Sequence, residues 1–286
     1  MTSIQETLAP VFPTQTYMET FSHSAYRSFL CPKPHVSSYF RYKGLVDRFV
    51  AALLLIPALP IIGILALCIK LTSKGTCIYA QERLGKNGRR FTMYKLRSMV
   101  VDAEKSTGAV WASQNDARVT LIGKFLRKFH LDELPQLLNV LRGEMALVGP
   151  RPEREEFVKI LSREIDGYSH RLLVVPGVTG FAQLNLPPDL EVADVRRKIS
   201  LDFEYIENAS FWFDFVLILG TLGRFTKFLG TIHLKFLGIY RKVNDSPWAP
   251  YVGASSDVLP NRTMALSQLF DIVAADRSEK ISPAAT

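Results

Sequence analysis

Cysteine is scarce in this chain. Among 286 residues only Cys31, Cys68 and Cys77 are cysteines, no two form a C-x-x-C pair, and one lies inside an apolar run. Such an odd, scattered set supports neither a disulfide framework nor a zinc ribbon, and it points to a reducing, cytosol-facing environment. The 17 glycines and 16 prolines are too few and too aperiodic for a collagen-like or low-complexity chain, and no segment repeats at a fixed period. The sequence also lacks a G-x-x-x-x-G-K-[ST] loop, a G-x-G-x-x-G after a strand, an H-E-x-x-H and a G-x-S-x-G. P-loop nucleotide hydrolysis, Rossmann cofactors, zinc proteolysis and the serine-hydrolase elbow therefore lose support. The five histidines are scattered and read as structural.

What is present is a chain that is 48% apolar and 22% charged, enough for a sizeable core in one large domain or two modest ones. Lys and Arg number 35 against 27 Asp and Glu, a formal charge of +8. That field attracts nucleic acid, anionic lipid and phosphorylated substrates alike, so charge alone does not choose among them.

From Phe49 to Ile69 the chain is uncharged for 21 residues, long enough for a membrane helix. Its distance from the N-terminus and the residues before it do not fit a secretory leader. Pro57 and Pro60 stand at its middle, where each removes a backbone donor and clashes with the preceding turn. The expectation is two half-helices of about eight to ten residues, each reaching only mid-bilayer. Both flanks are basic, with Arg41, Lys43 and Arg48 before and Lys70 and Lys74 after, which places both ends on the cytoplasmic side. A helix-break-helix hairpin entering and leaving by one face satisfies both observations; a proline-kinked single pass is the alternative these residues leave open.

The expected organisation is an N-terminal tail over 1–40, the re-entrant segment over 41–74, a cytosolic domain over 75–240 and a C-terminal tail over 241–286 with a short helix at Ala265–Ala274. Thr76–Gln81 and Arg90–Ser98 read as a hairpin around Lys86-Asn87-Gly88, with Phe91, Met93, Lys95 and Arg97 on one face of a period-two alternation. Leu121–Phe129, Asp132–Leu141, Glu153–Glu164 and Val192–Asn208 read as helices. Phe211–Leu229, apolar but broken by Asp214, Arg224 and Lys227, fits either a helix in the membrane interface or a core helix.

The densest cluster of reactive residue types is His130-Leu131-Asp132-Glu133-Leu134-Pro135-Gln136. Because proline is tolerated in the first turn of a helix, Asp132 is placed at the N-cap and both carboxylates at the positive end of the helix dipole, where a carboxylate stays ionised. The same pattern is also ordinary helix punctuation. Cations gather around it, however: Lys95 and Arg97 share a strand face, Arg127 lies just upstream, and Arg151 is framed by Gly149-Pro150 and Pro152. A guanidinium held between two prolines suits bidentate phosphate recognition.

These residues carry a resemblance. Gln81-Glu82-Arg83-Leu84-Gly85, Met93 to Met99, the run LDELPQLLNVLRGEMALVGPRPE from Leu131 to Glu153, and Pro176 to Gln183, in that order, resemble the bacterial sugar transferases, monotopic polyprenyl-phosphate phosphoglycosyltransferases. With the upstream apolar segment the resemblance covers about two thirds of the chain. It implies an α+β, mostly helical fold with a small β-hairpin, a proline-broken re-entrant helix and interfacial amphipathic helices, at the cytoplasmic face of the inner membrane. It implies transfer of a phosphosugar from a UDP-sugar to a polyprenyl phosphate with release of UMP and with Mg²⁺ assisting, as the first step of exopolysaccharide, O-antigen or glycoconjugate assembly. Carried over by position, the family's dyad falls on Asp132, the nucleophile and metal contact, and Glu133, which binds metal or orients Asp132. Its phosphate-binding cations fall on Arg127 and Arg151, with Lys95 and Arg97 as further candidates, and its membrane break on Pro60, joined here by Pro57. One departure stands out: Leu59 precedes Pro60 where the family often has serine. The implied partners are the UDP-sugar, polyprenyl phosphate and membrane lipid, with no nucleic acid and self-association left open.

Two other classes compete. A non-catalytic membrane scaffold using its basic surface would be indifferent to neutralising Asp132. A nucleic-acid binder would need basic residues interleaved with aromatics on an exposed platform, for which Phe91 and Tyr94 beside Lys95 and Arg97 are a thin basis.

Overall fold

The computed structural model describes residues 31–103, 116–189, 191–225, 232–242 and 245–252. Helix α1, Phe40–Thr72, runs 33 residues with Pro57 and Pro60 inside it. The expected division into two half-helices is thus corrected to one helix. Its inner face is Lys43, Asp47, Ala51, Ala58, Leu65 and Ile69, spaced by four or seven residues, which keeps one stripe on one side across both prolines. Continuous packing of this stripe offsets the backbone bonds that the prolines forfeit. The small Ala51 and Ala58 allow close approach to the domain, chiefly to α3 (Gln136–Arg142). The outer face exposes Leu45, Phe49, Leu53, Ile56, Leu59, Ile64, Leu67 and Leu71 together with both prolines.

The expected hairpin is present as β1 (Ile78–Leu84) and β2 (Arg90–Leu96), antiparallel with Ala80 opposite Tyr94 and Glu82 opposite Thr92. Its turn places Asn87 at φ 56° and Gly88 at φ 73°, the left-handed region that these residue types tolerate. Helix α2 (Leu121–Lys128) follows, with the Thr120 hydroxyl accepting from the Gly123 amide at 3.0 Å. After α3 comes β3 (Ala146–Val148), then α4 (Glu155–Glu164), and β4 (Gly177–Thr179) pairs parallel with β3. This second small sheet has no counterpart in the expectations above. Helices α5 (Phe181–Asn185), α6 (Val192–Asn208), α7 (Phe211–Phe225) and α8 (Ile232–Phe236) complete the described chain.

The core has two large apolar clusters. One joins α4, α6 and residues 248–252; the other joins the inner face of α1 to α3, β3, α5 and α7. Cys31 and Trp248 are buried in the first cluster, and the Ser37 amide donates to Ile206 O at 3.1 Å. Residues 31–39 and 246–252, read above as parts of tails, therefore pack into the domain. Residues 1–30 and the helix expected at Ala265–Ala274 lie outside the described residues.

Both ends of α1 are tied to the domain. At the start, Lys43 is 2% exposed and pairs with Asp47 at 3.0 Å and with Asp214 of α7. Tyr39 donates to Asp214 Oδ2 at 3.1 Å, and the Tyr205 hydroxyl lies 2.7 Å from Asp214 Oδ1 and 3.1 Å from Val148 O. Lys43, counted above among the basic flank, is thus a buried partner and not a surface cation. At the far end Arg97 donates to Lys74 O at 2.6 Å and to Ser73 O at 3.0 Å, satisfying carbonyls that the helix terminus leaves without partners. Helix α7 answers both readings offered for it: Asp214 and Leu217 face inward, while Phe211, Trp212, Phe215 and Leu222 are exposed.

Candidate active site

The site forms where β2, the turn before α3 and the loop after β3 converge. The alternation of β2 turns Phe91 and Met93 into the core and carries Lys95 inward with them, its side chain 16% exposed. The chain leaves α2 through His130 at φ 51° and makes a short 3₁₀ turn at Leu131–Glu133; α3 begins only at Gln136. Asp132 is therefore not the N-cap of α3. It sits one turn earlier, because Pro135 at φ −62° takes the position preceding the helix.

Arg151 is held by its backbone as the framing prolines suggest, and by more. Arg171 donates to Arg151 O at 3.1 Å, Arg83 to Pro152 O at 3.2 Å, and the Leu84 amide to Glu153 O at 3.0 Å. Ahead of it, the Gly149 amide donates to Thr179 O at 2.9 Å and the Gly177 amide to Pro150 O at 2.9 Å. The two backbones come so close that a Cβ on Gly177 would lie 2.1 Å from Gly149 N, so glycine is required there. Arg171 is in turn buried against Asp202 at 2.9 Å and Tyr168 at 3.0 Å.

From these supports the cations converge on one carboxylate. Lys95 Nζ lies 2.8 Å from Glu133 Oε1 and Arg151 Nη2 lies 3.2 Å from the same atom, while Arg151 Nη1 donates to Gln183 Oε1 at 3.1 Å. Burial pushes the Glu133 carboxyl up, but Lys95 and Arg151 outweigh it and hold the group well below the usual carboxylate range. Asp132 is treated oppositely. It is 7% exposed, and among the described residues no side chain or amide donates a hydrogen bond to its carboxylate. Burial pushes it above the usual aspartate value, aided by the Glu133 charge and opposed by Lys95 and Arg127. The N-cap placement expected for Asp132 is thus corrected, and burial makes its carboxylate a desolvated and more basic group. Two adjacent carboxylates driven apart in this way can divide a reaction between them.

Of the other expected cations, Arg127 is half-buried and its charge acts on Asp132. Arg97 does not join the site, since its guanidinium caps α1. Gln183, Arg171 and Arg83 received no role from the sequence; Arg83 lies in the first matched motif and Gln183 closes the last, whereas the buried Arg171 gave no signal. Among the described residues no group of three or more His, Cys, Asp or Glu gathers as a metal cage. Asp132 and Glu133 are the two neighbouring carboxylates that could donate oxygen to a divalent cation whose shell phosphate oxygens and water complete.

The family model described as bacterial sugar transferase matches residues 38–227. The chain is 44% identical over 174 residues to the UDP-N-acetylgalactosamine-undecaprenyl-phosphate N-acetylgalactosaminephosphotransferase of Aeromonas hydrophila, covering 60% of this chain and 41% of that protein. It is 41% identical over 187 residues to the undecaprenyl-phosphate glucose phosphotransferase of Komagataeibacter xylinus, covering 64% and 35%. It is 40% identical over 193 residues to the UDP-glucose:undecaprenyl-phosphate glucose-1-phosphate transferase of Caulobacter vibrioides, covering 67% and 72%. The chain thus spans 41% and 35% of the lengths of the first two of these relatives.

Proposed function

Because the chain belongs to the bacterial sugar transferase family, we propose that it moves a sugar 1-phosphate from a UDP-sugar to a polyprenyl phosphate, releasing UMP, through a covalent phosphosugar on Asp132. The observation that carries this reading is the division between neighbours: Glu133 is engaged by Lys95 and Arg151, while Asp132 is buried, raised and unengaged. An Asp132 carboxylate oxygen attacks the phosphorus that bears the sugar. The bond from that phosphorus to the bridging oxygen breaks, UMP leaves with the electron pair, and an acyl phosphate remains. A polyprenyl phosphate oxygen then attacks the same phosphorus, the bond to Asp132 breaks, and the carboxylate is restored. Lys95, Arg127 and Arg151 offset phosphoryl charge in both displacements. Asp132 and Glu133 would hold Mg²⁺, which when bound neutralises part of the diphosphate charge.

The membrane reading rests on α1 and α7. The outer faces of both are apolar and exposed, a larger patch than a water-soluble surface presents. A proline ring crowds the carbonyl one turn before it and bends a helix away from the proline side. Both prolines lie on the outer face, the side from which such a bend would close a helix toward the domain, and the Lys43–Asp214 and Arg97 ties fasten both ends to the domain. A helix fastened to one charged domain at both ends enters and leaves a bilayer by the same face. That face is the cytoplasmic one, where a UDP-sugar is found, and the product begins an exopolysaccharide, O-antigen or glycoconjugate.

The test uses the full-length protein with UDP-glucose, UDP-N-acetylgalactosamine and further UDP-sugars. With no acceptor present, sugar label accumulates on the protein and labelled UMP exchanges into UDP-sugar; Asp132→Asn abolishes both. Exchange that required polyprenyl phosphate would replace this scheme with direct transfer.

A further inference from the structure

Asn139 is 0% exposed in a core region lined by Phe91, Met93, Leu137 and Val140, a place where an apolar side chain would be the ordinary choice. Its carboxamide is fully engaged. Oδ1 accepts from the Tyr94 amide at 3.1 Å, while Nδ2 donates to Thr92 O at 2.7 Å and to Glu144 Oε2 at 2.7 Å. Thr92 and Tyr94 belong to β2, whose other edge is paired to β1. One side chain therefore takes the place of a third strand, occupying an N–H and a C=O on the free edge of β2.

The consequence lies one residue along. Lys95 follows Tyr94 directly, and its inward direction depends on the register of β2, since a slip of one residue turns every side chain to the opposite face. Glu133 lies on the turn that leads into α3, and Asn139 stands on α3 itself. Asn139 touches neither member of the Lys95–Glu133 pair, yet it fastens together the two elements that carry them. We infer that Asn139 is a positioning residue of the reaction, its carboxamide fixing the register of β2 against α3 so that Lys95 stands beside Glu133. This deepens the transfer reading above and rests on it for its catalytic meaning.

The experiment compares full-length wild type, Asn139→Ala, and the double variant Asn139→Asp with Glu144→Gln. At nearly constant volume the double variant keeps an acceptor for the Tyr94 amide and a donor–acceptor bond between positions 139 and 144, but sets an acceptor oxygen against Thr92 O, so that only the hold on the β2 carbonyl is lost. Acetylation of Lys95 by an amine-reactive ester is read by mass spectrometry against Lys86, an exposed lysine in the turn of the same hairpin. In Asn139→Ala, Lys95 labelling should rise severalfold relative to Lys86, and kcat for UMP release should fall about 10- to 100-fold with a smaller change in KM. The double variant should move both in the same direction by a smaller factor, because the Tyr94 amide is still held while Thr92 O is not. Wild-type labelling of Lys95 in Asn139→Ala, or a lower melting temperature with unchanged kcat per folded molecule, would overturn the inference. Should Asn139→Ala fail to fold, the double variant decides, because wild-type Lys95 labelling there contradicts the account. If wild type released no UMP from any UDP-sugar, the transfer reading would fall, and Lys95 labelling would still decide whether Asn139 places that lysine.

Discussion

Two of the buried charge clusters among the described residues are built from similar parts. At the start of α1, Lys43 meets Asp47 and Asp214, and Tyr39 and Tyr205 lie against the same Asp214 carboxylate. At the site, Lys95 and Arg151 share Glu133, while Asp132 has no donor among the described residues. The first cluster is sealed, with Lys43, Asp47, Asp214 and both tyrosines each under 5% exposed; in the second the Arg151 side chain is 37% exposed. A cluster sealed from solvent has no path for a ligand and serves to fasten α1 to α7. An open cluster with an idle carboxylate and cations near the surface is able to accept a diphosphate and react with it.

The widest separation between the clusters is expected from Asp132→Asn. Transfer and covalent labelling should fall at least about 10³-fold, since the amide is a poor nucleophile, and the melting temperature should hold or rise because a desolvated charge is removed. Activity assays beside thermal unfolding of one preparation check this. Arg151→Ala should come next, lowering kcat by about 10²- to 10³-fold through loss of phosphoryl charge stabilisation. In the sealed cluster the order reverses. Asp214→Asn should cost about 3 kcal/mol of stability by weakening a buried pair, while kcat per folded molecule stays close to wild type. A large loss of kcat in that variant, with stability unchanged, would erase the distinction between the two clusters.

Arg97→Ala sharpens the comparison further, because Arg97 was placed with the phosphate-binding cations by its strand face. It should cost about 1–3 kcal/mol through the unpaired Ser73 and Lys74 carbonyls and leave KM for the UDP-sugar nearly unchanged. The smallest effect concerns Cys31, whose thiol is pushed up to about 11 by burial, with Asp166 adding to the shift. Thiolate is the reactive form, so labelling of native Cys31 should be negligible at pH 8 and grow as pH approaches that value, whereas denatured protein labels readily. Mass spectrometry across a pH series checks it.

Much of the site could be read in the chain because its residues lie in dense, contiguous runs. Asp132 and Glu133 are adjacent, Arg151 sits between prolines, and Lys95 falls on the inward alternation of a strand whose turn was plain in Lys86-Asn87-Gly88. The hairpin and the helices at 121–128 and 192–208 followed from periodicity of the same local kind. What escaped notice depends on partners far apart in sequence. The parallel pairing of Ala146 with Gly177 and of Val148 with Thr179 joins three-residue strands too short to show an alternation. Asn139 reads as one polar residue on an apolar helix until the edge of β2 lies against it.

The amino-acid sequence by itself determined which residue types stand together: the reactive acids, the cations near them, and an uncharged apolar run with two prolines at its middle. Tertiary structure decided how each of those charges is used. Lys43 and Arg97 became fastenings because α7 and the end of α1 supply their partners. Glu133 became the anchor of two cations, and Asp132 was left desolvated and idle. Equal charges differ in role because the energy of a buried ion depends on every group within a few ångströms, and those neighbours are set by the fold and not by the order of residues along the chain.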